Sequence, residues 1–73
     1  MKNKYMTDLK VRYYLEKDDV QEGKIMFIYS KDKLPTDYLD AINDEYYYAV
    51  ETDFEELGVE TVIVPESDII EVI

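Results

Sequence analysis

The side chains of this sequence that could take part in chemistry are carboxylates, because the chain has 18 Asp and Glu residues but no His and no Cys. Paired carboxylates can act as general acid and base where a cleft raises the pKa of one of them. The lack of His and Cys excludes thiol nucleophiles, histidine bases and the usual zinc, haem and iron–sulfur ligands. A chain of 73 residues with one helix rarely encloses a cleft. We therefore predict that the protein is not an enzyme.

Cofactors are not expected either. Gly23 and Gly58 are the only glycines, so the chain has no glycine-rich loop to hold a phosphate group. The acid-rich segment at residues 37–45, DYLDAINDE, lacks the spacing of a calcium-binding loop. The sequence predicts no bound cofactor and no dedicated metal site.

The charge is distributed unevenly along the chain. All eight Lys and Arg residues lie within the first 33 positions, whereas residues 34–73 contain 12 acids and no base. The net charge of −10 repels phosphate, so we expect no direct binding of nucleic acid. No apolar run approaches the roughly 20 residues of a membrane helix. The absence of an export signal and of Cys favours the cytoplasm.

The hydrophobic pattern predicts four strands in a single domain of residues 1–73, with residues 1–8 as a flexible N-terminus. Apolar and polar residues alternate in Leu9–Glu16, as in a half-buried strand. A polar loop that ends at Gly23 separates it from a second, apolar strand. The second strand and the last two are Lys24–Ser30, Val59–Val64 and the segment at residues 68–73.

A long helix is predicted between the two hairpins, over Thr36–Leu57. At 100° per residue, its apolar side chains form one arc of about 160° and most acids lie opposite. Thr36 is a plausible N-cap, and Gly58 supplies the residue type that ends helices. An alternative ends the helix at Glu45, followed by a short strand through the tyrosines and a turn capped by Thr52.

These elements predict an α+β fold of two layers, in which a hairpin, a long amphipathic helix and a second hairpin follow in the order ββαββ. The helix covers a mostly antiparallel sheet of four strands. A β-grasp-like roll has the same order of elements and is the alternative. In the helical arrangement Tyr46 belongs to the core, whereas Tyr47 and Tyr48 are exposed.

The row of acids on the predicted helix is the candidate binding site. Like-charged neighbours at i,i+4 destabilise a helix, and no base offsets them here. Acids at the helix C-terminus also oppose the helix dipole. Counted with Asp53, the acid that fits the helix worst because it falls within the apolar arc, the row has about one carboxylate per 3.6 Å. This is close to the phosphate spacing of about 3.4 Å in a nucleic-acid strand. Its residues are Asp37, Asp40, Asp44, Glu45, Glu51, Glu55 and Glu56.

In size, acidity and lack of Cys and His, the chain resembles the small phage-encoded proteins that mimic DNA. The segment PESDI at Pro65–Ile69 is similar to a pentapeptide of the uracil-DNA glycosylase inhibitors, and no site is carried over from it. The resemblance implies an inhibitor, of phage or mobile-element type, that occupies the basic groove of a DNA- or RNA-binding protein. In the simpler interpretation, the acids are a solvated helix face.

The rival hypothesis places binding on apolar strand faces. The second and last predicted strands are apolar on both faces, which leaves apolar surface uncovered in a two-layer domain. Such a surface suits a housekeeping interaction module or a homodimer. The residues expected to carry it are Met26, Ile28, Ile70 and Val72.

Overall fold

The computed structural model describes residues 3–33 and 44–73, which form a single sheet of five strands. All strand pairs are antiparallel, and the strand order is β4-β3-β2-β1-β5. Short 3-10 helices at Lys31–Lys33 and Glu66–Asp68 follow β2 and β4. The strands are β1 (Lys10–Glu16), β2 (Asp19–Ser30), β3 (Tyr46–Phe54), β4 (Gly58–Pro65) and β5 (Ile69–Val72).

The long helix over Thr36–Leu57 is wrong, and so is the two-layer α+β fold. No α-helix occurs in the described part of the chain, and the second half of the predicted helix is strand β3 and the turn after it. The β-grasp-like alternative requires the same helix and is also wrong. Residues 36–43 of the predicted helix lie outside the described residues.

The physical reason lies in β3, the strand next to one edge of the sheet. Tyr47, Tyr48, Ala49 and Val50 are all buried, although consecutive strand residues point to opposite faces. A strand covered on both faces has a continuous apolar run, and this run also matched one face of a helix. Pairing with β2 and β4 provides hydrogen-bond partners for the backbone of β3. It acts in the same direction as the intrinsic preference of Tyr and Val for strands.

The other predicted strands are confirmed with shifted ends, and the broken-helix alternative correctly has a strand through the tyrosines. Its turn capped by Thr52 is wrong, because Thr52 lies within β3. Gly23 was expected to end a loop, but it lies in the middle of β2. Tyr47 and Tyr48, expected to be exposed, are buried.

The main core cluster forms on one face of the sheet. Strand β2 is 12 residues long, and it pairs with β1 through its first half and with β3 through its second half. Its register shifts between Ile25 and Phe27, and such bulges increase the twist of a sheet. The side chains that meet in this cluster are Val11, Tyr13, Ile25, Tyr48, Val50, Val64 and Ile69.

Polar contacts also cross the core. The hydroxyl groups of Tyr13 on β1 and Thr52 on β3 form a buried hydrogen bond of 2.7 Å, which spans β2. Gly23 lies beneath this contact, because a Cβ atom there would be 2.6 Å from Thr52 Oγ1. The absence of a side chain at Gly23 therefore allows β1 and β3 to meet.

The segment before β1 contacts the sheet. Lys4 N–H donates to the Glu66 carboxylate at 3.0 Å, and the Tyr5 ring packs edge-on against Tyr48 with centroids 5.7 Å apart. Asp8 N–H donates to the carbonyl oxygen of Ile25 at 2.8 Å. These contacts oppose a freely mobile segment, and the flexibility expected for residues 1–8 stays a prediction.

Candidate protein-binding surface

The predicted row of acids is divided by the sheet. Asp44 and Glu45 come directly before β3, whereas Glu55 and Glu56 form part of the turn after it. A strand of nine residues separates the two pairs, a distance of about 30 Å at about 3.4 Å per residue. Asp37 and Asp40 lie outside the described residues.

Two of the predicted acids have partners within the protein. The Asp44 carboxylate accepts a hydrogen bond of 2.6 Å from Ser67 N–H and so holds the connection between β4 and β5. Glu51 lies in the middle of β3, opposite Lys24 of β2. Paired residues of a ladder share one face, so a base lies next to this acid. Neither residue belongs to a surface made only of acids.

The structure instead gathers acids at the end of the sheet where the β1–β2 and β3–β4 turns lie side by side. A groove of about 760 Å³ opens there. We call it the hairpin-end surface. It is lined by Leu15, Asp19, Gln21, Asp53, Phe54, Glu55, Glu56, Leu57 and Glu60.

The hairpin-end surface combines negative charge with exposed apolar groups. Five of its nine residues are acids and none is basic. Leu57 is 72% exposed. Among the residues that the structure describes, the ion pairs join Arg12 to Glu22 and Glu71, and Lys24 to Asp8, so none involves this surface. Its charge is therefore available to a partner.

Sequence reasoning missed three acids of this surface: Asp19, Asp53 and Glu60. Asp19 lies in the half of the chain where bases and acids are mixed, and only the folded sheet brings it to the β3–β4 turn. For Asp53 a signal was present, because it was the acid that fitted worst on the predicted helix. Its position on that helix pointed into the apolar arc, which a strand with alternating faces avoids.

Lys17 lies in the β1–β2 turn next to this surface, whereas the bases with ion-pair partners lie elsewhere on the sheet. Arg12 on β1 donates to Glu22 on β2 and to Glu71 on β5, at 3.1 and 2.6 Å. The hydrogen bond from Arg12 to Glu22 and the charge of Glu71 raise the pKa of the guanidinium. One base and two acids give this trio a net charge of −1. Its charges are paired within the sheet, unlike the acids of the hairpin-end surface.

The four apolar residues of the rival hypothesis do not form one face. Ile28 packs against the core, whereas Ile70 and Val72 are exposed on β5. Met26 and Ile28 lie in the half of β2 that pairs with β3, and β5 pairs with β1. The most exposed apolar side chain of the central strands is Phe27, at 62%.

The tyrosine hydroxyls with a raised pKa lie in the core. Burial, followed by the hydrogen bond to Glu66, raises the pKa of Tyr48 well above its ordinary value. Burial also raises the pKa of Tyr13. Both hydroxyls serve the core. Residues 3–33 and 44–73 contain no group of three or more acids placed to hold a metal ion, and no helix there is long and apolar enough to cross a membrane.

In comparisons with known proteins, no family model, no curated protein and no solved structure matches this chain.

Proposed function

We propose that this chain is a non-enzymatic protein-binding module that mimics nucleic acid and occupies the basic groove of a DNA- or RNA-binding protein. The observation that carries the proposal is the hairpin-end surface, where five carboxylates surround exposed apolar side chains without a single base. The same proposal includes an inhibitor of phage or mobile-element type and a cytoplasmic location.

The negative charge of the hairpin-end surface is better explained by binding to a partner than by the stability of the fold. Like charges placed side by side on strands and turns destabilise a fold, and Lys at some of these positions would relieve the repulsion. A surface of one sign also speeds the encounter with a partner of the opposite sign. Exposed Leu15 and Leu57 among these acids supply apolar contact that a purely solvated face does not need.

Charge reversal tests the proposal. In the hairpin variant, Glu55, Glu56 and Glu60 are each replaced by Lys. A matched control replaces Asp32, Glu45 and Glu51 by Lys, since these exposed acids do not line the hairpin-end surface. Each reversal changes the charge by two, so both variants move the net charge from −10 to −4.

Wild-type protein and both variants are immobilised, and bound proteins are recovered from a nuclease-treated lysate at low and high salt. We expect the wild type and the control to retain the same proteins at low salt and to release them at high salt, because screening acts over about 8–10 Å. The hairpin variant should retain none of them. Equal capture by the hairpin variant and the wild type would contradict the proposal.

Exposed Phe27 favours a second candidate, a housekeeping or homodimerising module that binds through apolar strand faces. Its ring lies 6.5 Å from that of Tyr29, and the two give β2 an aromatic surface. This candidate expects binding that resists salt and that Phe27→Ala abolishes. The same capture experiment with Phe27→Ala therefore separates the two functions.

A further inference from the structure

Strand β4 forms one edge of the sheet. It pairs with β3 on one side, and the strand order places no described strand on the other side. Its first half, residues 58–61, is exposed, and Val59 retains 60% of its surface. An edge strand presents backbone N–H and C=O groups that can pair with another chain. Strand β4 therefore has the geometry to accept an additional strand.

Among the residues that the structure describes, no strand covers this edge, and its protection is limited to Glu60 and Pro65. Edge strands are commonly shortened, or they carry Lys or an inward charge that prevents pairing. Strand β4 has eight residues and no Lys, and Pro65 interrupts it only at its end. Val59, Thr61, Val62, Ile63 and Val64 give it the composition of an interior strand.

Carboxylates lie along the whole length of this edge. From Asp53, through the β3–β4 turn and β4, to Asp68, the chain contains six acids and no base. Glu55 and Glu56 precede the strand, Glu60 lies within it, and Glu66 follows it. An extended segment laid against β4 would therefore meet negative charge at both of its ends and in its middle.

The opposite edge of the sheet differs in both respects. Strand β5 has four residues, half the length of β4. The acid of β5, Glu71, already binds Arg12 of the neighbouring strand at 2.6 Å. Charge and length both favour β4 as the edge that receives a partner.

We propose that the β4 edge binds an extended, Lys- or Arg-rich segment of the partner protein as a sixth strand. This inference rests on the proposed function and specifies how the basic partner is held. Backbone hydrogen bonds to β4 supply affinity, as in other cases of strand addition, and the flanking carboxylates select a basic segment. A second copy of this chain fits poorly, because its own segment from Asp53 to Asp68 brings the same six acids to the contact.

Three synthetic peptides of eight residues test the inference with the wild-type protein. The first alternates Lys and Val. The second has the same side chains but carries a methyl group on every backbone nitrogen, so it keeps its charge and its backbone cannot donate hydrogen bonds. The third alternates Glu and Val. Binding is measured by calorimetric titration, and backbone amide exchange by NMR locates the contact.

We expect the Lys–Val peptide to bind and to slow amide exchange at alternate residues of β4. The methylated peptide should bind at least about tenfold more weakly, the effect of losing one or two net hydrogen bonds. If the methylated peptide binds equally well, or if protection falls on β5, the edge is not the site and this inference is wrong, while the proposed function stands. Self-association through β4 in the absence of peptide would also overturn it.

The Glu–Val peptide tests whether the carboxylates select a basic segment or whether the β4 edge pairs with any extended peptide. We expect no binding of this peptide under conditions in which the Lys–Val peptide saturates. If it binds as tightly as the Lys–Val peptide and protects β4, the edge pairs without regard to charge. That result contradicts selection by the carboxylates, and with it the proposed function.

Discussion

Replacement of Gly23 by Ala is expected to destabilise the protein more than the addition of one methyl group at any other position of β2. A Cβ atom at this position would lie 2.6 Å from the carbonyl oxygen of Glu51, from Thr52 Oγ1 and from Val50 Cγ1. Nonbonded carbon contacts are favourable at about 3.5–4.0 Å, so the two strands must separate by about 1 Å. One of the three atoms belongs to the backbone, and no side-chain rotation can relieve that contact.

The expected cost follows from three contributions. Overpacking of a well-packed core costs about 1–3 kcal/mol. Separation of β2 from β3 also weakens the hydrogen bond between Tyr13 and Thr52, a loss of about 1 kcal/mol. Ala restricts the unfolded chain more than Gly does and returns about 0.4–1 kcal/mol. The net loss is about 1–3.5 kcal/mol, with a midpoint of about 2 kcal/mol, against a total stability of roughly 4–11 kcal/mol for a domain of this size.

Urea unfolding followed by circular dichroism measures the loss, and thermal unfolding should show a decrease in Tm of about 10–20 °C. Gly58→Ala is the matched control. Gly58 has a φ of +77° and nothing within 4 Å of an added Cβ atom, so only backbone strain acts there. That strain is about 1–2 kcal/mol. If Gly23→Ala costs less than Gly58→Ala, the close approach of β2 to β3 is wrong.

Three further predictions concern the core hydroxyls and the acidic turn. Because burial raises the pKa of Tyr48, the free energy of unfolding is retained below about pH 10 and falls as pH rises further. Tyr48→Phe should reduce the dependence of this free energy on pH by up to about 1.4 kcal/mol per pH unit, as measured by urea unfolding at pH 8 to 11. Tyr13→Phe leaves the hydroxyl of Thr52 buried without its partner and should cost about 1–3 kcal/mol, and adding Thr52→Val should recover part of that loss in a double-mutant cycle. Reversal of Glu55 and Glu56 to Lys should change the free energy of unfolding by less than about 0.5 kcal/mol, since both side chains are exposed; a larger loss would show that they hold the turn.

Local pattern was sufficient for β1, where alternation placed Val11 and Tyr13 on the buried face, as observed. It was insufficient for β3. Its run of Tyr and Val has a strand preference, but a regular helical arc over 22 positions outweighed that preference in the sequence. The pairing of β3 with β2 and β4 decides between them, and the pairing with β2 joins residues far apart in the chain.

The candidate site was partly predictable for the same reason. The concentration of acids after residue 33 is visible in the sequence, and Glu55 and Glu56 do lie on the surface that the structure identifies. The arrangement of the acids was not visible, because it depends on the turns of the sheet. Asp44 was predicted to bind a partner protein, but its carboxylate accepts a hydrogen bond from Ser67 N–H, 23 positions away in the sequence.

Displacement by DNA tests the central claim most directly, namely that the hairpin-end surface takes the place of nucleic acid in a basic groove. Proteins captured from a nuclease-treated lysate by the immobilised wild type are washed with duplex DNA at constant ionic strength, and with uncharged dextran as the control. The account predicts that DNA releases the captured proteins and dextran does not, because DNA and the hairpin-end surface compete for one site. Captured proteins that remain bound at saturating DNA would contradict it.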